Sequence, residues 1–205
     1  MSRYTGPRVK ILRRFGCALP GLTRKTVAEG VNPPGEHGAN HRRKVSEYRE
    51  HLDEKQKVRL NYGISERQFV IYMKAAISSK LDTGLRLIQL LESRLDNFVF
   101  RAGYAPTIPA ARQIVNHGHI LVNGRKCDIA SFQVRPGDVI SLRERSKKVQ
   151  SIQDSIATPS LARPSYVEFD AEKQTAKMTA QPCREDVPIT DLRDNLIIEF
   201  YSRKV

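Results

Sequence analysis

The chain has no tryptophan and only three cysteines and three methionines in 205 residues. No apolar run approaches the roughly 20 residues of a membrane span. Each shortage excludes something. Cys17, Cys127 and Cys183 are isolated and odd in number, so they build no disulfide framework, and reduced thiols in a cytosol-like compartment are expected. The basic N-terminus is not followed by the apolar segment of a signal peptide, and a soluble protein that works where it is made is expected. Acidic residues are missing from the first 25 positions, where seven Lys and Arg stand unopposed. Nor is there a glycine-rich phosphate cradle, a Gly-x-Ser-x-Gly elbow or a set of paired metal ligands, so nothing here points to catalysis.

What the chain does have is positive charge, with 35 Lys and Arg against 22 Asp and Glu for a formal +13. It is unevenly spread: residues 1–60 carry +8, residues 61–153 carry +7 and residues 154–205 carry −2. Such asymmetry indicates a polyanionic partner, and nucleic acid rather than membrane, because no strongly amphipathic helix carries the basic cluster. The alternative is charge that merely solubilises. With 40% hydrophobic residues, seven Phe and seven Tyr, the chain can bury the core of one ordinary domain or two small ones.

Residues 1–41 hold six glycines and four prolines among Arg and Lys, a composition that predicts an arm ordered by a partner. Residues 44–62 read as a helix with Val45, Tyr48, Leu52 and Leu60 near one face, Lys55 and Arg59 sharing another, and Gly63 as its stop. Ser65-Glu66-Arg67-Gln68 has capping-box spacing and opens a helix with Phe69, Met73, Ala76 and Ile77 inward. One long helix is expected after Asp82-Thr83-Gly84, with Ile88, Leu91, Leu95, Phe98 and Val99 on its period and Gly103 beyond its end. Thr107 caps a short helix with an early Pro109, closed by Gly118. Asn123-Gly124, between "HILV" and "KCDI", signals a hairpin, since a type I′ turn needs positive φ at both positions. "FQV" and "VISLRE", flanking Pro136-Gly137-Asp138, suggest a second pair of strands, residues 145–165 a helix or linker, and the tail "DNLIIEFYSRKV" an extended docking segment.

The stretch "RLDNFVFRAGYAPTIPAARQIVNHGHILVNGRKCDIASFQVRPGDVISL" resembles the S-four RNA-binding domain. "HRRKVSEYREHLDEKQKVRLNYGISERQF" upstream and "LIIEFYSRK" at the end are similar to the full-length small-subunit ribosomal protein S-four family of bacteria and chloroplasts. The resemblance implies an α+β fold: a helical first domain and a small module of two helices packed on a short, twisted, mostly antiparallel sheet, with an extended basic N-terminal arm. It divides the chain into an arm at 1–43, a helical domain at 44–92 completed by 187–205, and the S-four domain with its extension at 93–186. It implies a non-enzymatic constituent of the small ribosomal subunit that binds the 5′ domain of small-subunit rRNA at a helix junction and nucleates assembly. It also places the protein beside incoming mRNA and ribosomal protein S-five, with a part in translational accuracy, and involves no membrane, small-molecule substrate or cofactor. The location implied is a bacterial cytoplasm, or alternatively a chloroplast stroma, with the opening and "PPGEHG" looking nearest to cyanobacterial or chloroplast-type members. Some relatives hold zinc with N-terminal cysteines, but here Cys17 has only the distant His37 and His41, and a structural site needs four close ligands, so a metal-free form is expected.

Recognition of folded RNA rests on phosphates, 2′-hydroxyls and shape, because the A-form major groove is too narrow for side chains. The candidate rRNA contacts in the arm are Arg3, Arg8, Arg13, Arg14, Arg24 and Lys25. Arg42, Arg43 and Lys44 follow, where the resemblance also puts mRNA, and then Tyr48, Lys55, Arg59, Tyr62 and Arg67. Arg94 and Arg101, seven apart on one helix face, lead to Arg112, Gln113, His117 and His119, and to Asn123, Gly124, Arg125 and Lys126 around the hairpin. Together these are expected to form one basic surface. Asp96 reads as a group that orients Arg94 or caps its neighbours rather than one that touches RNA. For Asn123 and Gly124, turn geometry alone competes with direct contact, and for the two histidines metal binding competes with contact to sugar, phosphate or base. Arg94-Leu95-Asp96 also matches the nucleophile motif of pseudouridine synthases that carry an S-four domain, but the sequel "NFVF" differs and no catalytic domain has room. A small stress protein acting on stalled ribosomal subunits is a third class, and the basic arm and helical domain speak against it.

Overall fold

A computed structural model of the chain describes residues 4–28, 30–39, 46–189 and 192–202. They form two compact units, one spanning Met1–Leu87 with Pro188–Val205 and the other Ile88–Val187.

The first unit contains α1 (Arg8–Phe15), α2 (Glu47–Asn61), α3 (Glu66–Ile77) and α8 (Asp194–Ser202), and α4 (Thr83–Glu92) carries the chain out of it. Local signals set the starts of α2 and α3, where the Ser46 and Ser65 hydroxyls accept from the N–H groups of Arg49 and Gln68. Their buried faces differ from expectation in part. Phe69, Met73 and Ala76 are buried together with Tyr72, whereas Ile77 is exposed. On α2, Tyr48 is exposed and Leu52 and Leu60 are half-buried, while His51, Glu54, Lys55, Val58 and Asn61 face inward; Val45 lies outside the described residues.

The tail explains that polar face. It is not extended: it forms the helix α8, burying Ile197, Phe200 and Tyr201, and packs along α2. Tyr201 stacks on Phe69 with ring centroids 5.6 Å apart, and its hydroxyl donates to Glu66 at 2.6 Å. Residues 8–15, expected within an extended arm, are also helical, and they bury Ile11 and Leu12 while Leu19 and Leu22 are buried after them. The Gly21 N–H donates to Asn61 Oδ1 of α2 at 2.9 Å. Four apolar side chains among the glycines and prolines are enough to seat this part of the segment.

The second unit holds α5 (Leu95–Ala102) and α6 (Ile108–Asn116), which pack together, and a five-stranded antiparallel sheet in the order β2-β1-β3-β5-β4. The strands are β1 (Ile120–Val122), β2 (Arg125–Lys126), β3 (Val139–Leu142), β4 (Val167–Asp170) and β5 (Thr175–Met178). Asn123 and Gly124 take φ values of 50° and 80°, as a type I′ turn requires. "FQV" is not a strand; Gln133 makes an isolated bridge with Arg94, and β3 pairs with β1 and β5 instead. Residues 144–148 form a 3-10 turn leading into α7 (Gln150–Ala157).

The expected single long helix is two. Arg94 adopts φ −65° and ψ 139°, which turns the chain out of α4 before α5 begins. The freed backbone is used at once: Leu95 and Asp96 donate to the carbonyls of Phe132 and Ala130, and Val134 donates to that of Ser93. Apolar periodicity runs through the break undisturbed, so nothing local announces it.

Leu95 is fully buried at this junction. Replacing it with alanine is expected to cost about 2–5 kcal/mol, read as a lower urea midpoint with an unchanged slope.

Candidate nucleic-acid interface

The cations of the chain divide into internal and external sets. Among the internal ones, Arg94 is 4% exposed and donates to both oxygens of Asp96, at 3.0 and 2.8 Å. Arg112 of α6 reaches the same carboxylate at 3.0 and 2.6 Å. The Asn97 N–H adds a fifth contact at 2.9 Å, so Asp96, fully buried, is saturated with donors. The Arg-Leu-Asp motif is therefore a structural clamp, and its aspartate is closed to substrate.

A second buried cluster lies beside it. Glu92 accepts from Asn97 Nδ2 and from the Tyr166 hydroxyl, both at 2.7 Å. Burial, followed by the charge of Glu92, pushes the Tyr166 phenol well above its ordinary range. Arg101, 6% exposed, donates to the Asp186 carbonyl, and its Nε lies 3.8 Å from Glu92 without a hydrogen bond.

In the first unit Lys55 is also internal. Its Nζ lies 2.8 Å from Glu66 and 4.6 Å from the centre of the Phe200 ring. Burial raises the Glu66 carboxyl, but the hydrogen bonds from Lys55 and Tyr201 and the charges of Lys55 and Arg59 outweigh it and leave the group below its ordinary value. Tyr62 is buried as well. Thus Lys55, Tyr62, Arg94 and Arg101, all expected on a contact surface, are spent on the interior. For Lys55 and Arg101 the cause is a carboxylate or carbonyl brought close by the tertiary fold, Glu66 and the Asp186 carbonyl, whereas Arg94 is held by Asp96 two residues on.

The remaining candidates are more open. Arg24, Lys25, Tyr48 and Arg67 are exposed on the first unit, and Arg14 is exposed but bridged to Asp53 at 3.0 Å. Arg8, Arg13 and Arg59 are half-buried; Arg8 and Arg13 donate to the carbonyls of Leu22 and Asn32, and Arg59 to Gln56 Oε1. Arg3, Arg42, Arg43 and Lys44 lie outside the described residues.

On the second unit the end of α6 and the β1–β2 hairpin come together. Gln113, His117, Asn123, Gly124, Arg125 and Lys126 are exposed, and His119 is half-buried with Nδ1 2.9 Å from Ser146 Oγ. Gly118, at φ 71°, sits where an added Cβ would lie 2.4 Å from Lys126 Cε. Glycine between the two histidines therefore lets the lysine stem cross the helix end. Asn123 is committed to the turn: its Nδ2 donates to Asp138 at 2.8 Å and its Oδ1 accepts from the Val139 N–H at 2.9 Å. Lys126 approaches Asp128 at 3.4 Å, a half-exposed pair that holds little energy and leaves the charge available.

The sequence reading missed Arg143, Arg145 and Lys148, exposed around the 3-10 turn, and Arg135 in the turn before β3. The "RERSKK" charge run was the signal. Among the described residues, no three His, Cys, Asp or Glu side chains are grouped to hold a metal, no disulfide joins the three cysteines, and no helix is long and apolar enough to cross a membrane.

Two measurements follow from this geometry. Asp96→Ala strands two guanidinium groups in the interior and is expected to cost about 3–5 kcal/mol in urea unfolding, against under about 0.5 kcal/mol for Arg67→Ala on the surface. His51 bonds Glu199 through Nε2 and the Glu47 carbonyl through Nδ1, each at 2.7 Å, and these bonds raise its pKa above the ordinary 6.5. A raised native value stabilises the protonated fold, so the stability advantage of wild type over His51→Ala is complete below about pH 6.5 and fades as pH climbs through the native value. Unfolding midpoints of both proteins at mildly acidic and mildly alkaline pH test this; equal differences at the two would mean the pair does not form.

A model of the S4 domain matches residues 93–140, and a model of the ribosomal protein S4/S9 N-terminal domain matches residues 3–92. The chain is 55% identical over 208 residues to "Small ribosomal subunit protein uS4" of Synechococcus sp. (strain JA-3-3Ab), covering all of both chains. It is 53% identical over 206 residues to the proteins of that name in Prochlorococcus marinus and Synechococcus elongatus, again at full coverage of both. With half its residues shared from end to end, the chain belongs to the uS4 family of small-subunit ribosomal proteins, a family of structural constituents and not of enzymes.

Proposed function

We propose that the protein is a primary binder of small-subunit rRNA, seated on a helix junction of the 5′ domain and nucleating assembly of the subunit. The observation that carries this is the group of exposed cations on the second unit: Arg125 and Lys126 on the hairpin, beside His117 at the end of α6. Arg143, Arg145 and Lys148 flank the turn that holds His119. Cations carried on a sheet and helix suit contact with phosphates, which is indifferent to the identity of bases. Arg24, Lys25 and Arg67 of the first unit join the reading, with Arg3, Arg42, Arg43 and Lys44 drawn in on sequence alone.

Family resemblance supports the finer parts of this reading: contact with ribosomal protein S-five, a position beside incoming mRNA and a contribution to translational accuracy. It supports equally a bacterial cytoplasmic or a chloroplast ribosome. Arg94, Arg101 and Lys55 have no part in the contact surface.

Binding of the full chain to a transcript of the rRNA 5′ domain, against an unrelated structured RNA of equal length at two salt concentrations, tests the proposal. A preference of about a hundredfold or more that survives the higher salt is expected. Equal, salt-labile binding to both RNAs would overturn it. In the same assay Arg125→Ala with Lys126→Ala is expected to lower the log–log salt slope by roughly one unit per lost phosphate contact.

A further inference from the structure

An open cleft of about 260 Å³ lies between α6 and α7 in the second unit. Ala110 and Ile114 of α6 and Ile152 of α7 form apolar walls, and Gln113, His117 and His119 supply polar groups. None of its lining residues is acidic. The polar groups are not used up internally. Gln113 and His117 make no side-chain hydrogen bond among the described residues, and His119 is held in place only through Nδ1, by Ser146. The two imidazole rings lie 6.1 Å apart, tilted by 52°.

The 3-10 turn that supplies Ser146 is cationic and bound to the cleft. Arg143 donates to the Gly118 carbonyl between the two histidines, and Arg145 and Lys148 are exposed on either side of Ser146. Lys147 alone is neutralised in the turn, by Glu144 at 2.8 Å.

We propose that this cleft takes one unstacked nucleobase of the bound RNA. A base has apolar faces and a polar edge and arrives with a phosphate on each side, and the cleft answers each part. The apolar walls and the imidazoles take the faces, the Gln113 amide takes the edge, and Arg145 and Lys148 take a flanking phosphate. An apolar peptide or acyl chain would leave the amide, the rings and the cations unanswered. The inference rests on the RNA-binding reading and adds to it a site for a single-stranded nucleotide, where the hairpin offers only contacts to backbone.

The full chain is titrated with the 5′-domain transcript as wild type, Ala110→Phe, His117→Ala, and Arg145→Ala with Lys148→Ala. Ala110→Phe fills the cleft without changing charge, and His117→Ala alters an exposed side chain and leaves the core intact. Both are expected to weaken binding about five- to a hundredfold with an unchanged salt slope, whereas the double cation variant lowers the slope. In parallel, the His117 and His119 ring signals in NMR spectra are expected to shift on addition of nucleoside 5′-monophosphates to wild type and to stay in place in Ala110→Phe. Wild-type affinity in both folded cleft variants would overturn the nucleobase site and leave the rRNA reading standing. Failure of wild type to prefer the transcript would remove the rRNA reading, and the cleft with it.

Discussion

The Asp96 carboxylate, closed off from water and gripped by Arg94 and Arg112, is the contact on which the second unit is built. A buried ion pair contributes little net energy relative to apolar packing, but removing one partner is costly, so it acts mainly to select one arrangement. Here the arrangement is specific. Arg94 bends the chain between α4 and α5, and the amides exposed by the bend take residues 130–134 as partners. That pairing leads the chain through the 136–138 turn into β3, and β3 carries β1 with its hairpin. Arg112 fixes α6 to the same carboxylate, and with it the helix end that bears His117.

The first unit uses charge in a parallel way. Glu66 joins Lys55 of α2 to Tyr201 of α8, and Glu54 and Glu50 lie within 3.6 and 3.7 Å of Arg193. These contacts fasten the last described helix to the first unit's core, and they explain why α2 has so little apolar surface on its inner face. A formal +13 is therefore no measure of the surface offered to an anion. Several arginines and lysines hold the protein together, and only the remainder is left exposed to meet an anion.

Sequence reading reached the parts whose cause lies within a few residues. Ser65 and Thr107 cap helices through their own hydroxyls, and Asn123-Gly124 makes its turn by the backbone freedom of the pair. It misplaced the parts whose cause lies far away. The run "LIIEFY" admits either period, and helix prevails because α2 presents His51 and Lys55 to Glu199 and Phe200. The strands β4 and β5 passed unnoticed because the turn that joins them uses Gln174 at φ 52°, where a glycine would have marked it.

The same division runs through the candidate site. Composition and local pattern by themselves determined that the protein is basic, built of helices and a small antiparallel sheet, and equipped to meet a polyanion, because net charge, caps and turns are properties of neighbouring residues. Only the tertiary structure decided which cations stay in solvent. Arg94 and Arg125 are alike in sequence, yet one is enclosed with a carboxylate and the other stands in water, because burial depends on what distant residues are folded against each.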